Sequence, residues 1–378
     1  MSEPITHSAA LQTEIRRRIA ASGGWISFAD FMQMALYAPG LGYYVAGAQK
    51  FGAAGDFVTA PEWTPLFARA LARQVAEIMA MSAPRILEAG AGSGRLAVDL
   101  LRALEDAGLL PEDYGILELS PELAARQRQT LAREVPHLLA RVHWLERLPE
   151  RFSGLVLANE VLDAMPVHVV QWQEESILER GVTWGEDEKF QWQTRPATGR
   201  LRAEAERIGQ ECPLPPGYVN EISLLAPAWA ATWGERLEKG CLLLIDYGFP
   251  RHELYHPDRD GGTLTCHYRQ RAHADPFCLP GLQDISAHVD FTALIAAAHP
   301  AGLDLLGYAD QARFLLNCGL LDDLAALADS SAYLKSASAV QKLIGPHEMG
   351  ELFKVMALGK GIDTPLIGFL RGDKSHAL

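Results

Sequence analysis

Long apolar runs are missing from this chain. No stretch approaches the eighteen or more residues that a membrane helix needs, and the nearest candidate, Ile222–Trp233, is short and broken by Pro227. Cysteine is scarce. The five cysteines (Cys212, Cys241, Cys266, Cys278, Cys318) are scattered with no C-x-x-C pair, which excludes a disulfide framework or zinc ribbon and fits a reducing compartment. Basic charge is the minority: 34 Lys plus Arg face 47 Asp plus Glu, leaving −13. Such a body repels phosphate backbones and anionic lipid, so nucleic acid and membranes are excluded as natural partners and a basic protein or peptide is favoured. The N-terminus has no signal-peptide core, and Glu3 and Glu14 argue against reading Arg16-Arg17-Arg18 as part of a transit peptide. Internal repeats and low-complexity segments are absent too. The expectation is a soluble, cytoplasmic, globular protein; its oligomeric state stays open, a dimer included.

What is present is ordinary globular composition, 48% hydrophobic and 21% charged, over 378 residues. That length suits two domains, or one large domain with insertions. Residues 9–37 read as helical with a break at Gly23-Gly24, and Pro65 to Met81 has helical spacing of apolar residues. From Arg85 the pattern becomes strand, glycine-rich turn, helix, and it repeats. Strands are expected at 85–89, 114–119, 142–145, 154–158 and 241–245, with two more at 303–308 and 351–358 forming a reversed edge. Residues 218–238 read as helix. This alternation predicts an α/β, doubly wound, Rossmann-like sheet. The expected organisation is an N-terminal helical extension with a covering loop (1–80), a core (81–360) and a tail (361–378). The core carries a β insertion at about 167–200 and a helical insertion at about 311–344.

Glu88-Ala89-Gly90-Ala91-Gly92-Ser93-Gly94 lies where the first strand of that sheet hands over to a helix. Glycines there permit a tight turn and let a ligand approach the backbone at a helix N-terminus. The spacing is G-x-G-x-G rather than the G-x-G-x-x-G of a dinucleotide site, and Glu88 suits a neighbouring ammonium or sulfonium better than a pyrophosphate. Glu118 ends the next strand, where an acid can accept from both ribose hydroxyls. The bland reading, a structural turn plus a solvent-facing Glu, is weakened by both acids standing at strand ends.

Asn159 and Glu160 follow the fourth strand, in the region where open α/β sheets bind ligands. Glu160 and Asp163 are three apart, so a helical turn would put both carboxylates on one face, where they can hold a planar guanidinium. Alternatively, either acid caps a following helix. Asn159 can present its amide oxygen beside the reacting groups. His168, after Pro166 on an apparent strand, reads as structural.

One motif is set aside. His252-Glu253-Leu254-Tyr255-His256 matches the H-E-x-x-H of zinc peptidases, but Pro250 and Pro257 flank it and a residue before proline avoids helical geometry. No metal site is expected, and a zinc peptidase using His252, Glu253 and His256 is the remote alternative.

The E-x-G-x-G-x-G turn with its strand-end acid resembles class I S-adenosylmethionine (SAM)-dependent methyltransferases. More narrowly, the chain resembles the MidA family, the mitochondrial complex I assembly-factor methyltransferases and their bacterial relatives. The stretches that carry this are Gly42-Tyr43-Tyr44, Phe51-Gly52 through Gly55-Asp56-Phe57 to Glu62, Glu88–Gly94 and Asn159–His168. Asp246-Tyr247-Gly248, Gly262-Thr263-Leu264, Asp284–Phe291 and Met349–Lys354 follow in the family's order. The resemblance implies a class I fold with a reversed last strand, SAM as cofactor, and methyl transfer to arginine of a protein such as a respiratory complex I subunit. It assigns the cofactor to Glu88, Gly90, Gly92, Gly94, Glu118, Leu119, Asn159 and Thr59, and transfer to Glu160, Asp163 and Asn159. It also makes Asp56, Thr59 and Glu62 a loop over the cofactor, the equal alternative being a turn whose Asp56 and Thr59 satisfy their own backbone. After Glu62 the family continues Ser-Gln, then Phe-Gly, whereas this chain has Trp63-Thr64-Pro65-Leu66-Phe67, a departure that bears on target choice. A catalytically silent SAM-binding assembly protein is the competing class of function.

Overall fold

The computed structural model describes residues 3–46 and 59–378, with side chains from Thr6 onward. The Phe51–Phe57 stretch, and with it Asp56, lies outside the described residues.

The central sheet is built from β1 (Arg85–Ala89), β2 (Asp113–Leu117), β3 (Val142–Leu145), β4 (Phe152–Asn159), β5 (Leu237–Phe249), β6 (Asp304–Asp310) and β7 (Phe353–Lys360). The spatial order is β6-β7-β5-β4-β1-β2-β3. The pairs β1–β2, β1–β4, β2–β3 and β4–β5 are parallel. β7 runs antiparallel to both β5 and β6. Only this last strand is reversed, as the resemblance implies: β7 inserts between β5 and β6, and the last two strands form the edge of the sheet with β6 outermost.

Burial follows the strand period of two. Leu243 and Ile245 of β5 join Ile86, Ile116, Leu155 and Val355 in a core against helices Pro65–Met81 and Arg95–Asp106. Leu242 and Leu244 join Leu87, Val156, Met356 and Leu358 on the other face, against helices Leu225–Arg236 and Phe291–Ala298. A strand buried on both faces reads as an unbroken apolar run, and Cys241–Ile245 is wholly buried. Each such side chain contributes roughly 1.5–3 kcal/mol on removal from water.

A second sheet pairs His168–Trp172 with Ile177–Trp184 and Val219–Ile222, extended by Phe190–Pro196 and by Ile26–Ser27 of the N-terminal segment. The helical reading of 218–238 is thus corrected at its start. Val219–Ile222 alternates its sides against Gln171–His168, and the helix begins only at Leu225. Helices Glu3–Ala21 and Phe28–Tyr37 pack on this sheet through Leu11, Ile15, Phe28 and Phe31. Helices Gln311–Asn317, Leu320–Ala325 and Tyr333–Ile344 lie between β6 and β7. The C-terminal segment is held to the core: Lys374 N–H donates to Tyr308 O (2.6 Å) and Asn317 Nδ2 to Gly368 O (2.8 Å).

Candidate active site

The strand order reverses between β1 and β4, and the carboxyl ends of these strands open onto one cavity of about 820 Å³. That is the crevice in which open α/β sheets bind ligands, and the volume lies within the usual range for small-molecule sites.

The glycine turn forms one wall. Gly90, Gly92 and Gly94 have φ of +65°, +53° and +81°, a region that L side chains rarely adopt. A Cβ on Gly90 would sit 3.0 Å from Val161 Cγ2. Gly90 and Gly92 line the cavity. Gly94 does not: it caps helix Arg95–Asp106 and backs onto Gln127, so its part is to turn the chain. Glu88 is buried and accepts from Tyr114 OH (2.8 Å). Burial pushes its carboxyl up to about 7, with the Tyr114 hydroxyl pulling against that rise.

Glu118 accepts from Ser120 N–H (2.9 Å) through one oxygen and from Gln127 Nε2 (2.9 Å) through the other. Gln127 is fully buried; it also donates to Gly92 O (3.1 Å) and accepts from Trp144 Nε1 (2.9 Å). One side chain thereby ties the strand-end acid to the glycine turn. Leu119 is 72% exposed and lies at the cavity edge. Thr59 lines the cavity at the start of the short helix Ala60–Trp63. Glu62 accepts a hydrogen bond from Ser93, inside the glycine turn.

The other wall is acidic and aromatic. Asn159, Glu160 and Asp163 all line it. The expected helical turn is absent: Glu160 has φ +54°, and the chain runs irregularly from there to strand His168–Trp172. The physical reason is Asp246, three residues before the end of β5. Its Oδ2 accepts from the N–H groups of Val161 (3.1 Å), Leu162 (2.8 Å) and Asp163 (3.3 Å), replacing the partners a helix would supply. No helix follows for either acid to cap.

Asn159 Nδ2 donates to Glu160 Oε1 (3.1 Å), and Tyr247 OH donates to Asp163. Burial, then the charge of Asp163, pushes the Glu160 carboxyl up to about 8; Asn159 and the Ala60 N–H oppose this. Burial lifts Asp163 to about 6 against the Tyr247 bond. Tyr44 OH donates to Asp284 Oδ1 (2.8 Å) and Tyr37 OH to Ala164 O (3.0 Å). Burial holds His288 neutral, down at about 4.

The residues fit a SAM-sized cation. The glycine cradle has no side chains to fill it, Glu88 and Glu118 stand at its two strand ends, and Asn159 Oδ1 is buried with no hydrogen-bond partner among the described residues. Cations gain from carboxylates in such a cleft.

His168 is elsewhere, bonded through Nδ1 to Glu179 (2.7 Å) across the second sheet. His252, Glu253 and His256 are exposed while Leu254 and Tyr255 between them are buried; their helix ends at Leu254, and His256 Nδ1 accepts from Asp258 N–H (3.2 Å). His252 and His256 thus share no helix face. Trp63, at the family departure, lines the cavity beneath Lys342 of helix Tyr333–Ile344, whose Nζ is 4.9 Å from the ring centroid. Tyr114 and Gln127 are site residues that no motif marks, and Asp246-Tyr247, though among the stretches that carry the family resemblance, had no role from sequence. An acid directly after the most buried strand was the available signal for Asp246; Gln127, mid-helix, gave none.

A family model of S-adenosyl-L-methionine-dependent methyltransferases matches residues 67–309. The Danio rerio protein arginine methyltransferase NDUFAF7, mitochondrial, is 30% identical over 394 residues, covering 93% of this chain and 88% of its own. The Drosophila melanogaster homolog is 28% identical over 404 residues, covering 95% and 88%. A Burkholderia thailandensis crystal structure bound to S-adenosyl-homocysteine matches with TM-score 0.96 at 51% identity, over 100% of this chain and 99% of that one.

Proposed function

The chain belongs to the S-adenosyl-L-methionine-dependent methyltransferase family matched over residues 67–309, and we propose that it methylates an arginine nitrogen of a protein substrate. The observation that carries the arginine reading is the pair of carboxylates, Glu160 and Asp163, in one cavity with the glycine turn. Two carboxylates match the planar fork of a guanidinium, which stays cationic at any working pH. The names of the curated relatives support the same acceptor.

The bound cofactor supplies an electrophilic methyl group on a sulfonium sulfur. In this reading Glu88, Gly90, Gly92 and Glu118 hold that cofactor, with Leu119 and Thr59 at its edges and Asn159 between it and the acceptor. Glu160 and Asp163 would grip the guanidinium, draw its positive charge toward two of its nitrogens and leave the third with a lone pair to attack; the N–C bond forms as the S–C bond breaks, and the proton lost by the methylated nitrogen passes to one of these two carboxylates. Positioning and electrostatics then supply most of the acceleration. Tyr37 and Tyr247 wall the cavity and keep water from the cation.

The family resemblance makes a respiratory complex I subunit the first acceptor to test. Among the described residues no helix is long and apolar enough to cross a membrane; the cytoplasmic reading rests on composition, while the relatives carry mitochondrial names. The test is transfer of tritiated methyl from SAM into lysate proteins by wild type and by Glu160→Gln. Labelling by wild type that falls at least 100-fold in the variant, with SAM binding kept, supports the reading. No labelling by a SAM-binding wild type would favour an assembly protein without turnover.

A further inference from the structure

Asp246 and Tyr247 are adjacent on β5, and between them they touch almost every part of the segment that carries the two acids. Asp246 is 1% exposed. One of its oxygens gathers three consecutive N–H groups, those of Val161, Leu162 and Asp163, and the other accepts from Tyr247 N–H (3.0 Å). One residue back, Ile245 O accepts from Glu160 N–H (2.8 Å). A backbone with no helix or ladder of its own is thus gripped from one strand end, at the point where Glu160 takes a left-handed conformation. Tyr247 completes the grip at the side chain, its hydroxyl donating to Asp163.

A buried carboxylate is costly unless bonded. A purely structural loop anchor needs no such acid, since a backbone carbonyl or an amide would serve. Burial, with the charges of Asp163 and Glu160 beside it, pushes the Asp246 carboxyl well above the usual carboxylate range, so what the acid contributes that an amide lacks is a second acceptor oxygen, one on the N–H groups of Val161, Leu162 and Asp163 and the other on Tyr247 N–H.

Resting on the arginine reading, we propose that Asp246 and Tyr247 are positioning residues: Asp246 sets the backbone that aims Glu160 and Asp163, and Tyr247 sets the carboxylate of Asp163. Neither is asked to exchange a proton with the substrate. The ionisable groups around Asp163 include Glu160, Asp246, Tyr247, Tyr37, Tyr44 and Asp284; His288, packed on the Tyr247 ring, is held neutral, and Lys354, opposite Asp246 in the sheet, is paired with Asp310. The Tyr247 hydroxyl is therefore a principal donor that favours the ionised form of Asp163, against burial.

The experiment compares wild type, Asp246→Asn and Tyr247→Phe by calorimetric titration with SAM and, separately, with butylguanidinium from pH 5.5 to 8.5. SAM affinity within twofold of wild type, with butylguanidinium weakened about tenfold, supports the positioning role; a charge-assisted hydrogen bond is worth about that much. Tyr247→Phe should also move the acidic midpoint of butylguanidinium binding upward, a readout that loss of packing would not produce. Equal weakening of both ligands, or no change in either, overturns the proposal. Tyr247→Phe keeps the test open should Asp246→Asn fail to fold. A wild type that binds SAM but ignores butylguanidinium would defeat the arginine reading instead. The same variants are then compared by tritiated methyl transfer to lysate protein, where an unchanged Tyr247→Phe rate overturns the positioning role.

Discussion

Binding of a guanidinium should expel a proton from Glu160. Its carboxyl stands at about 8, so at pH 7 it is about 90% protonated. The guanidinium requires the carboxylate, so about one proton leaves per site filled. Removing that proton at pH 7 costs about 1.4 kcal/mol, the equivalent of one pH unit, or tenfold in affinity. The affinity for butylguanidinium should therefore climb about fivefold between pH 7 and 8 and about twofold more before it levels off above about pH 9. Below about pH 6 the slope steepens, because Asp163 then carries a proton as well. Calorimetry in two buffers of different ionisation enthalpy measures the protons directly, as the difference in apparent binding heat. Glu160→Gln should abolish the buffer dependence at pH 7. Binding heat independent of buffer, or affinity flat from pH 6 to 8 in wild type, would refute the reasoning.

Three further outcomes follow from the same geometry. Gly92→Val forces a β-branched residue to φ +53° at the cavity wall, and SAM binding should drop at least 100-fold by titration, with the fold retained by circular dichroism. Wild-type SAM affinity should rise with pH through about 7 as Glu88 ionises. Tyr114→Phe removes the donor that opposes the rise, so the inflection should move to higher pH; an unmoved inflection would remove Glu88 from the cofactor site. Finally, the Glu160 carboxyl is raised from 4.5 to about 8 on folding, so the folded protein holds the extra proton. Its stability is full below pH 4.5 and declines as pH rises to about 8, by on the order of 5 kcal/mol. Glu160→Gln should then match the wild-type Tm at pH 4.5 and exceed it by several degrees at pH 9, by scanning calorimetry.

Legibility of the sequence divides along a physical line. Features set by local pattern could be read: the two-sided burial of Cys241–Ile245, the helix faces at Pro65–Met81 and Arg95–Asp106, and the glycine turn, where glycine suits three alternate positive φ values. Features set by distant partners could not. Nothing near Glu160 in the chain announces a left-handed conformation, because the groups that impose it, Ile245 O and Asp246, lie some 85 positions away. Val219–Ile222 looked helical beside Ala-rich sequence, and only its pairing with His168–Gln171 makes it a strand. The single reversed strand was likewise beyond local reading, since antiparallel β7 shows the same apolar run as its parallel neighbours. Glu88 and Glu118 were legible as strand-end acids, but Gln127 and Tyr114, which hold them, were not.

The central claim is methyl transfer to arginine, and amino-acid analysis tests it most directly. Lysate proteins labelled by the purified protein with tritiated SAM would be hydrolysed to amino acids and separated by chromatography. Label is expected in methylated arginine, and none when Glu160→Gln replaces wild type. Label confined to another amino acid would contradict it.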